Sequence, residues 1–426
     1  MSQNGTKKIF LLLFFLLIAG FLGCSENSSG EPVVLPRYIS PFALYPNDLA
    51  RNDSASAYVV EGVQLPVHPK ASYKLSFDKD ANIKDAPTLE LFRLGETLDD
   101  GKVLTRHVRT LEPREENGRY VYEFLCEEQE RNVWLTTLVL DGELYKGSTK
   151  HARLEAEGAF SDTLSLNLIV SGKIDFYEPD MDIDTFAKRM LEKFRQYYTS
   201  ITIDTLYVRY AHEHPTVGAN YPPNEPWIAG RSSSDYFLVE LGGWPERRVN
   251  DALDIILVHR IELDGVLGYS LIYGGSLQGG VGSTVVIGAY NKTTSGEEGL
   301  TASSMIVTAV HETGHFLGLR HTTTTIADFD VEMDYSNYED GFDDTPFCRD
   351  LLHSGLLKKK SEESRSDYAV WPRFKGRFAA TEIPFDITNC PDYRNMMFPA
   401  INEEGVEGFS QQQLQNIRKN LMVYPH

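Results

Sequence analysis

His311, Glu312, His315 and His321 are the residues of this sequence whose types and spacing carry the most chemistry. Residues four apart on a helix share a face, so His311 and His315 aim both imidazoles at one point. Gly318 stops such a helix, and a left-handed turn there brings the chain back so that His321 supplies a third nitrogen. Three neutral imidazoles with one position left open suit a catalytic zinc ion, whereas structural zinc normally fills all four positions with protein side chains. Glu312, beside the first ligand, stands where a general base can take a proton from water. The bland alternative is a buried helix with incidental histidines, but three histidines at ligand spacing exceed what core packing needs.

The elements that must position these residues are legible around them. In LTASSMIVTAVHETGHFLGLRH, Thr301 caps a helix that runs to about Leu317 and stops at Gly318. Strands are expected at Ile201 to Tyr210, Leu253 to Ile261 and Ser283 to Tyr290. A helix in EPDMDIDTFAKRMLEKFRQYY places Phe186, Met190, Leu191 and Phe194 on one face after an Asp-rich start. Ser410 and Gln413 form a capping box for a last helix, with Phe409 stapling onto Leu414. These elements make an α+β domain over residues 176–426. Residues 38–175 read as an all-β, sandwich-like accessory domain, because YKLSF, TLELFRL, YVYEFL, VWLTTLVL and LSLNLIVSG are short apolar or alternating runs separated by polar breaks.

The string HETGHFLGLRH matches HExxHxxGxxH, and the chain thereby resembles the metzincin clan of zinc metalloproteases. That resemblance implies a Met-turn beneath the metal, for which YRNMMFP offers Met397, followed by Phe398 and Pro399 in a matrixin-like Met-x-Pro; Met396 is the lesser candidate. GFDDTPFC and the Cys390-Pro391 pair are pappalysin-like, although pappalysins usually place a Tyr two residues after the Met, where this chain has Pro399. The implied activity is hydrolysis of peptide bonds in protein or peptide substrates, with Glu312 taking a proton from a water acidified by zinc. It also implies a substrate lying extended along a strand edge, to which STVVIGAY corresponds. A contrasting reading keeps the fold in a surface binding or adhesion lipoprotein with little turnover, but such a module has no need of Glu312.

With 61 acidic and 41 basic side chains the net charge is -20, which disfavours nucleic acid and anionic lipid as partners. Lys7, Lys8 and the apolar run from Ile9 to Leu22 read as a signal peptide over residues 1–24, and FLGC resembles a lipobox with Cys24 as the lipidated residue. Residues 25–37 follow as a tether. The expected product is an exported bacterial lipoprotein, membrane-anchored through its lipid alone and facing the periplasm or cell surface; a plain signal peptide would leave it secreted. Of the remaining cysteines, Cys348 and Cys390 are expected to pair. Cys126 is either a buried strand cysteine or a thiolate that silences the metal. Asp340, Asp343 and Asp344 close an acid-rich stretch from Asp328 that could hold calcium or form a solvated loop.

Overall fold

The structure, a computed structural model, describes residues 63–97, 103–128, 132–149, 152–230, 251–263, 265–270, 284–323, 340–348, 387–399 and 405–423, with short pieces at 33–34, 49–51, 57–60, 241–242, 244 and 277. Cys24, the signal segment and Asp328 to Glu339 lie outside the described residues. The fold is mixed α+β. The chain separates into two compact units, Met1–Asp162 with Gly275–Val281 and Lys419–His426, and Thr163–Gly274 with Gly282–Arg418. Among the described residues no helix is long and apolar enough to cross a membrane.

The first unit consists of two antiparallel sheets that share one core. In one sheet the strands Arg153–Gly158, Ser72–Asp78 and Arg119–Leu125 lie side by side, with Tyr73 opposite Phe124, Leu75 opposite Tyr122 and Phe77 opposite Tyr120. Side chains two apart on a strand share a face, so these pairs all point inward. The other sheet, built on Thr88–Thr97, Val103–Leu111 and Asn132–Leu140, contributes Leu89, Leu91, Trp134 and Leu138 to the same core. Tyr122 keeps its hydroxyl satisfied by donating to Pro87 O at 2.7 Å.

The second unit is organised on a sheet in the order Thr202–Tyr210, Thr163–Val170, Leu253–Ile261, Thr284–Thr293 and Gly268–Tyr269. The first four strands run parallel, and Gly268–Tyr269 is antiparallel and ends the sheet among the described residues. Thr163–Val170 therefore belongs to this sheet, not to the accessory β region in which its sequence pattern had placed it. A short apolar run does not reveal which sheet will adopt it; here both flanking partners come from later in the chain. The buried Asn167 helps set the register, donating from Nδ2 to Asp254 Oδ1 at 2.8 Å on the neighbouring strand.

The helix Ile183–Tyr197 begins at Asp182, whose side chain accepts from the Thr185 N–H at 2.7 Å. Its buried face is Phe186, Ala187, Met190 and Phe194, while Leu191 is half-buried. The last helix, Gln411–Val423, shows the capping box. Ser410 Oγ accepts from the Gln413 N–H at 3.1 Å, and Gln413 Oε1 accepts from the Ser410 N–H at 2.9 Å. Phe409 packs its ring 5.0 Å from that of Tyr198.

Candidate metal centre

The helix Ala302–Phe316 carries two of the three histidines. Thr301 Oγ1 accepts from the Ser304 N–H at 3.0 Å and so satisfies one of the amides left over at the helix start. Every residue of this helix except Ser303 is buried. At its end the Gly318 N–H donates to His315 O and the Leu319 N–H to Gly314 O, both at 2.9 Å. Gly318 has φ 88°, a left-handed conformation open to glycine at little cost. The chain reverses there and returns His321 to the helix.

His321 Nε2 stands 3.2 Å from His311 Nε2 and 3.1 Å from His315 Nε2. Nitrogens bound tetrahedrally to zinc at about 2.05 Å would stand roughly 3.3 Å apart, so the spacing fits that ion. His311 Nδ1 lies 2.6 Å from Met396 O and His315 Nδ1 lies 2.8 Å from Leu319 O. A carbonyl can only accept, so each Nδ1 carries the proton and each Nε2 turns a bare lone pair to the common point. Burial holds both rings neutral, pushing His311 down to about 3 and His315 well below its ordinary value, with His321 adding to both shifts. Converging lone pairs of this kind repel one another unless a cation lies between them, and three nitrogen donors with a side left open suit zinc.

Glu312 is buried beside them, and burial pushes its carboxyl up to about 8, against the opposing effect of a hydrogen bond from the Ser270 backbone. A dication close by would draw that value down again. Ser270 directly follows the edge strand Gly268–Tyr269. A Cβ on Gly268 would come 2.6 Å from Thr308 Cγ2 and 2.9 Å from Glu312 Cγ, so only bare backbone lets the strand approach this closely. The edge beside Glu312 is thus Gly268–Tyr269. STVVIGAY, expected to be that edge, is flanked on both sides, by Leu253–Ile261 and by Gly268–Tyr269 with Gly296–Gly299.

Met397 is fully buried under the metal helix, its Sδ 2.6 Å from where a Cβ on Gly314 would stand. Its carbonyl accepts from the Thr322 N–H at 3.0 Å, tying the turn to the residue after His321. Met396 contributes the carbonyl that holds His311. Sequence reasoning missed this role, as it missed Leu319 O and the Ser270 N–H, because a backbone group has the same chemistry at every position. Tyr198 was also missed: its buried hydroxyl donates to Val310 O at 2.6 Å, one residue before His311.

Cys348 and Cys390 are joined in a disulfide. Asp392 lies within 4.8 Å of both sulfurs, and among the described residues this trio and the three histidines are the groups with ligand spacing. Asp340, Asp343 and Asp344 are not among those groups. Asp340 accepts from the Phe342 N–H and Thr345 Oγ1, Asp344 accepts from Ser410 Oγ and the Gln412 N–H, and the Asp343 N–H donates to Gln412 Oε1. Two of these aspartates thus serve a turn and a helix start, and the rest of the acid-rich stretch lies outside the described residues. Cys126 is fully buried in the first unit, where burial pushes its thiol up to about 11, the opposite of what a metal-seeking thiolate requires.

No protein-family model matches the chain, and no curated protein matches it in sequence. Among solved structures, an archaemetzincin from Methanopyrus kandleri overlaps 61% of this chain and 96% of its own length at 12% identity and a TM-score of 0.26. Metalloproteinase-II from Bacteroides fragilis overlaps 57% of this chain and 83% of its own length at 16% identity and a TM-score of 0.24. An acetyl xylan esterase from Butyrivibrio proteoclasticus overlaps 67% and 74% at 11% identity and 0.14. Likeness at these scores carries no weight for function, which rests on the geometry of the site itself.

Proposed function

We propose that this chain is a zinc-dependent endopeptidase with His311, His315 and His321 as the metal ligands and Glu312 as the general base. One observation carries the reading: His321 Nε2 stands 3.2 and 3.1 Å from the Nε2 atoms of His311 and His315, whose rings are locked by their Nδ1 protons, beside a buried carboxyl. Zinc bound there supplies a Lewis acid that acidifies water and polarises a carbonyl. Glu312 receives the proton of that water and passes it to the departing amine, while the Ser270 N–H keeps the carboxyl aimed. The resemblance of HETGHFLGLRH to metzincin sequences favours a peptide bond as the target. An extended substrate would lie alongside Gly268–Tyr269, the strand next to Glu312.

The roles of the four residues predict different losses. Glu312→Ala leaves all three ligands, so zinc stays bound at wild-type stoichiometry while cleavage of casein falls at least ~100-fold, the usual contribution of a positioned acid-base group. His321→Ala leaves two ligands and loses metal and activity together. Zinc content by mass spectrometry and casein cleavage read both outcomes. A zinc-loaded wild type that cleaves nothing, or a Glu312→Ala variant as active as wild type, would leave a metal-binding surface protein in place of the peptidase.

A further inference from the structure

The peptide unit joining Met396 to Met397 is held at both of its polar groups. Its carbonyl accepts from His311 Nδ1 at 2.6 Å, and its N–H donates to Asn395 Oδ1 at 2.8 Å. Both groups belong to one planar trans unit and point in opposite directions, so whatever fixes the N–H also fixes the aim of the carbonyl.

Asn395 is itself fixed. Its Nδ2 donates to Gln413 Oε1 at 3.0 Å, and the polarity of that contact is forced by a backbone group. The Ser410 N–H, which can only donate, meets the same Gln413 oxygen at 2.9 Å. The atom facing Asn395 is therefore an acceptor, Asn395 must turn its NH2 toward it, and the Asn395 oxygen is left for Met397. Gln413 is wholly buried, so water cannot stand in for either partner. The glutamine that caps the last helix is thus connected through Asn395 and a single peptide plane to the first histidine of the metal site.

We propose that Asn395, locked by Gln413, is a positioning residue that aims the Met396 carbonyl at His311 and thereby sets how tightly the site holds zinc. The proposal rests on the metal reading given above. The direct hydrogen-bond partner of a ligating histidine typically accounts for 10–100-fold in metal affinity, so a group one peptide further out should account for about tenfold.

Zinc affinity, measured on the full chain by competition with a chelating dye, tests the relay without reference to activity. Asn395→Ala and Gln413→Leu should each raise the zinc Kd about tenfold. Gln413→Glu, whose carboxylate oxygens accept from both Ser410 and Asn395, should keep the wild-type Kd. Ser410→Ala removes the hydroxyl that accepts from the Gln413 N–H but leaves the Ser410 N–H and the Gln413 side chain, so it should lower the Tm without changing the Kd. Wild-type zinc affinity in both Asn395→Ala and Gln413→Leu would overturn the relay. So would an equal loss in Gln413→Glu or Ser410→Ala, which would show that general loosening is enough. A wild type that holds no zinc would overturn the metal reading itself, and this proposal with it.

Discussion

The core of the first unit and the helix Ala302–Phe316 are equally dry, yet they bury different things. Between the sheets of the first unit lie Tyr73, Leu75, Phe77, Tyr122 and Trp134, and two of the tyrosine hydroxyls are turned to backbone: Tyr73 Oη accepts from the His68 N–H and Tyr122 Oη donates to Pro87 O, both at 2.7 Å. The helix buries His311, Glu312 and His315, and the ring nitrogens of the two histidines converge with that of His321. Desolvation of a polar group is unfavourable unless a partner compensates, and at this site the Nδ1 atoms of His311 and His315 are compensated by carbonyls while their Nε2 atoms meet only that of His321. Residues of the first kind are held for packing and those of the second for chemistry. Substitutions in the two places should therefore damage separable properties.

The largest effect on stability is expected from Phe77→Ala, which leaves a cavity among Tyr120, Tyr122 and Tyr145. It should destabilise the first unit by about 4 kcal/mol, read by denaturant unfolding, with zinc stoichiometry unchanged below the transition. Loss of zinc from that folded variant would break the separation. Gly314→Ala presses on the other side of the comparison. The added Cβ would meet Met397 Sδ at 2.6 Å and Phe409 Cε1 at 3.3 Å, so the turn beneath the site must give way. A loss of about 1–2 kcal/mol is expected, overpacking being partly offset by the better helix propensity of alanine, and calorimetry can measure it. No loss of stability would mean that Met397 is loosely packed.

The smallest effect is a pH dependence. Burial pushes Asp340 from an ordinary 3.8 up to about 6, with the Asp392 and Asp344 carboxylates adding to the shift and the hydrogen bonds from Thr345 and Phe342 opposing it. A carboxyl raised in the folded state favours folding when protonated. Its contribution is fully present below about pH 4 and is lost as the pH rises through about 6. Asp340→Asn removes that loss, so its Tm relative to wild type should be higher at pH 8 than at pH 4. The same difference at both values would show that Asp340 does not titrate in this window.

How much of this was readable beforehand depended on whether a feature lives in side-chain spacing. The metal residues were legible because helical periodicity and one glycine dictate where His311, His315 and His321 must point. The capping box was legible for the same reason, since Ser410 and Gln413 contact each other locally. Thr163–Val170 was assigned to the wrong neighbours because its partners, Thr202–Tyr210 and Leu253–Ile261, are distant in sequence and its own residues suit either sheet. Gly268–Tyr269 escaped notice because two residues make no pattern, and its importance comes from what glycine lacks. The supports of the histidines, Met396 O and Leu319 O, are main-chain atoms that no residue type advertises.

The hydrogen bond from His311 to Met396 spans 85 residues of chain, and Gln413, which holds Asn395, lies further on still. At a synthesis rate of 5–20 residues per second, a nascent chain carries His311 and His315 for roughly ten seconds before the carbonyl that orients His311 has been made. During that interval the helix lacks the backbone partner that orients His311, so the site takes its final geometry only late in synthesis.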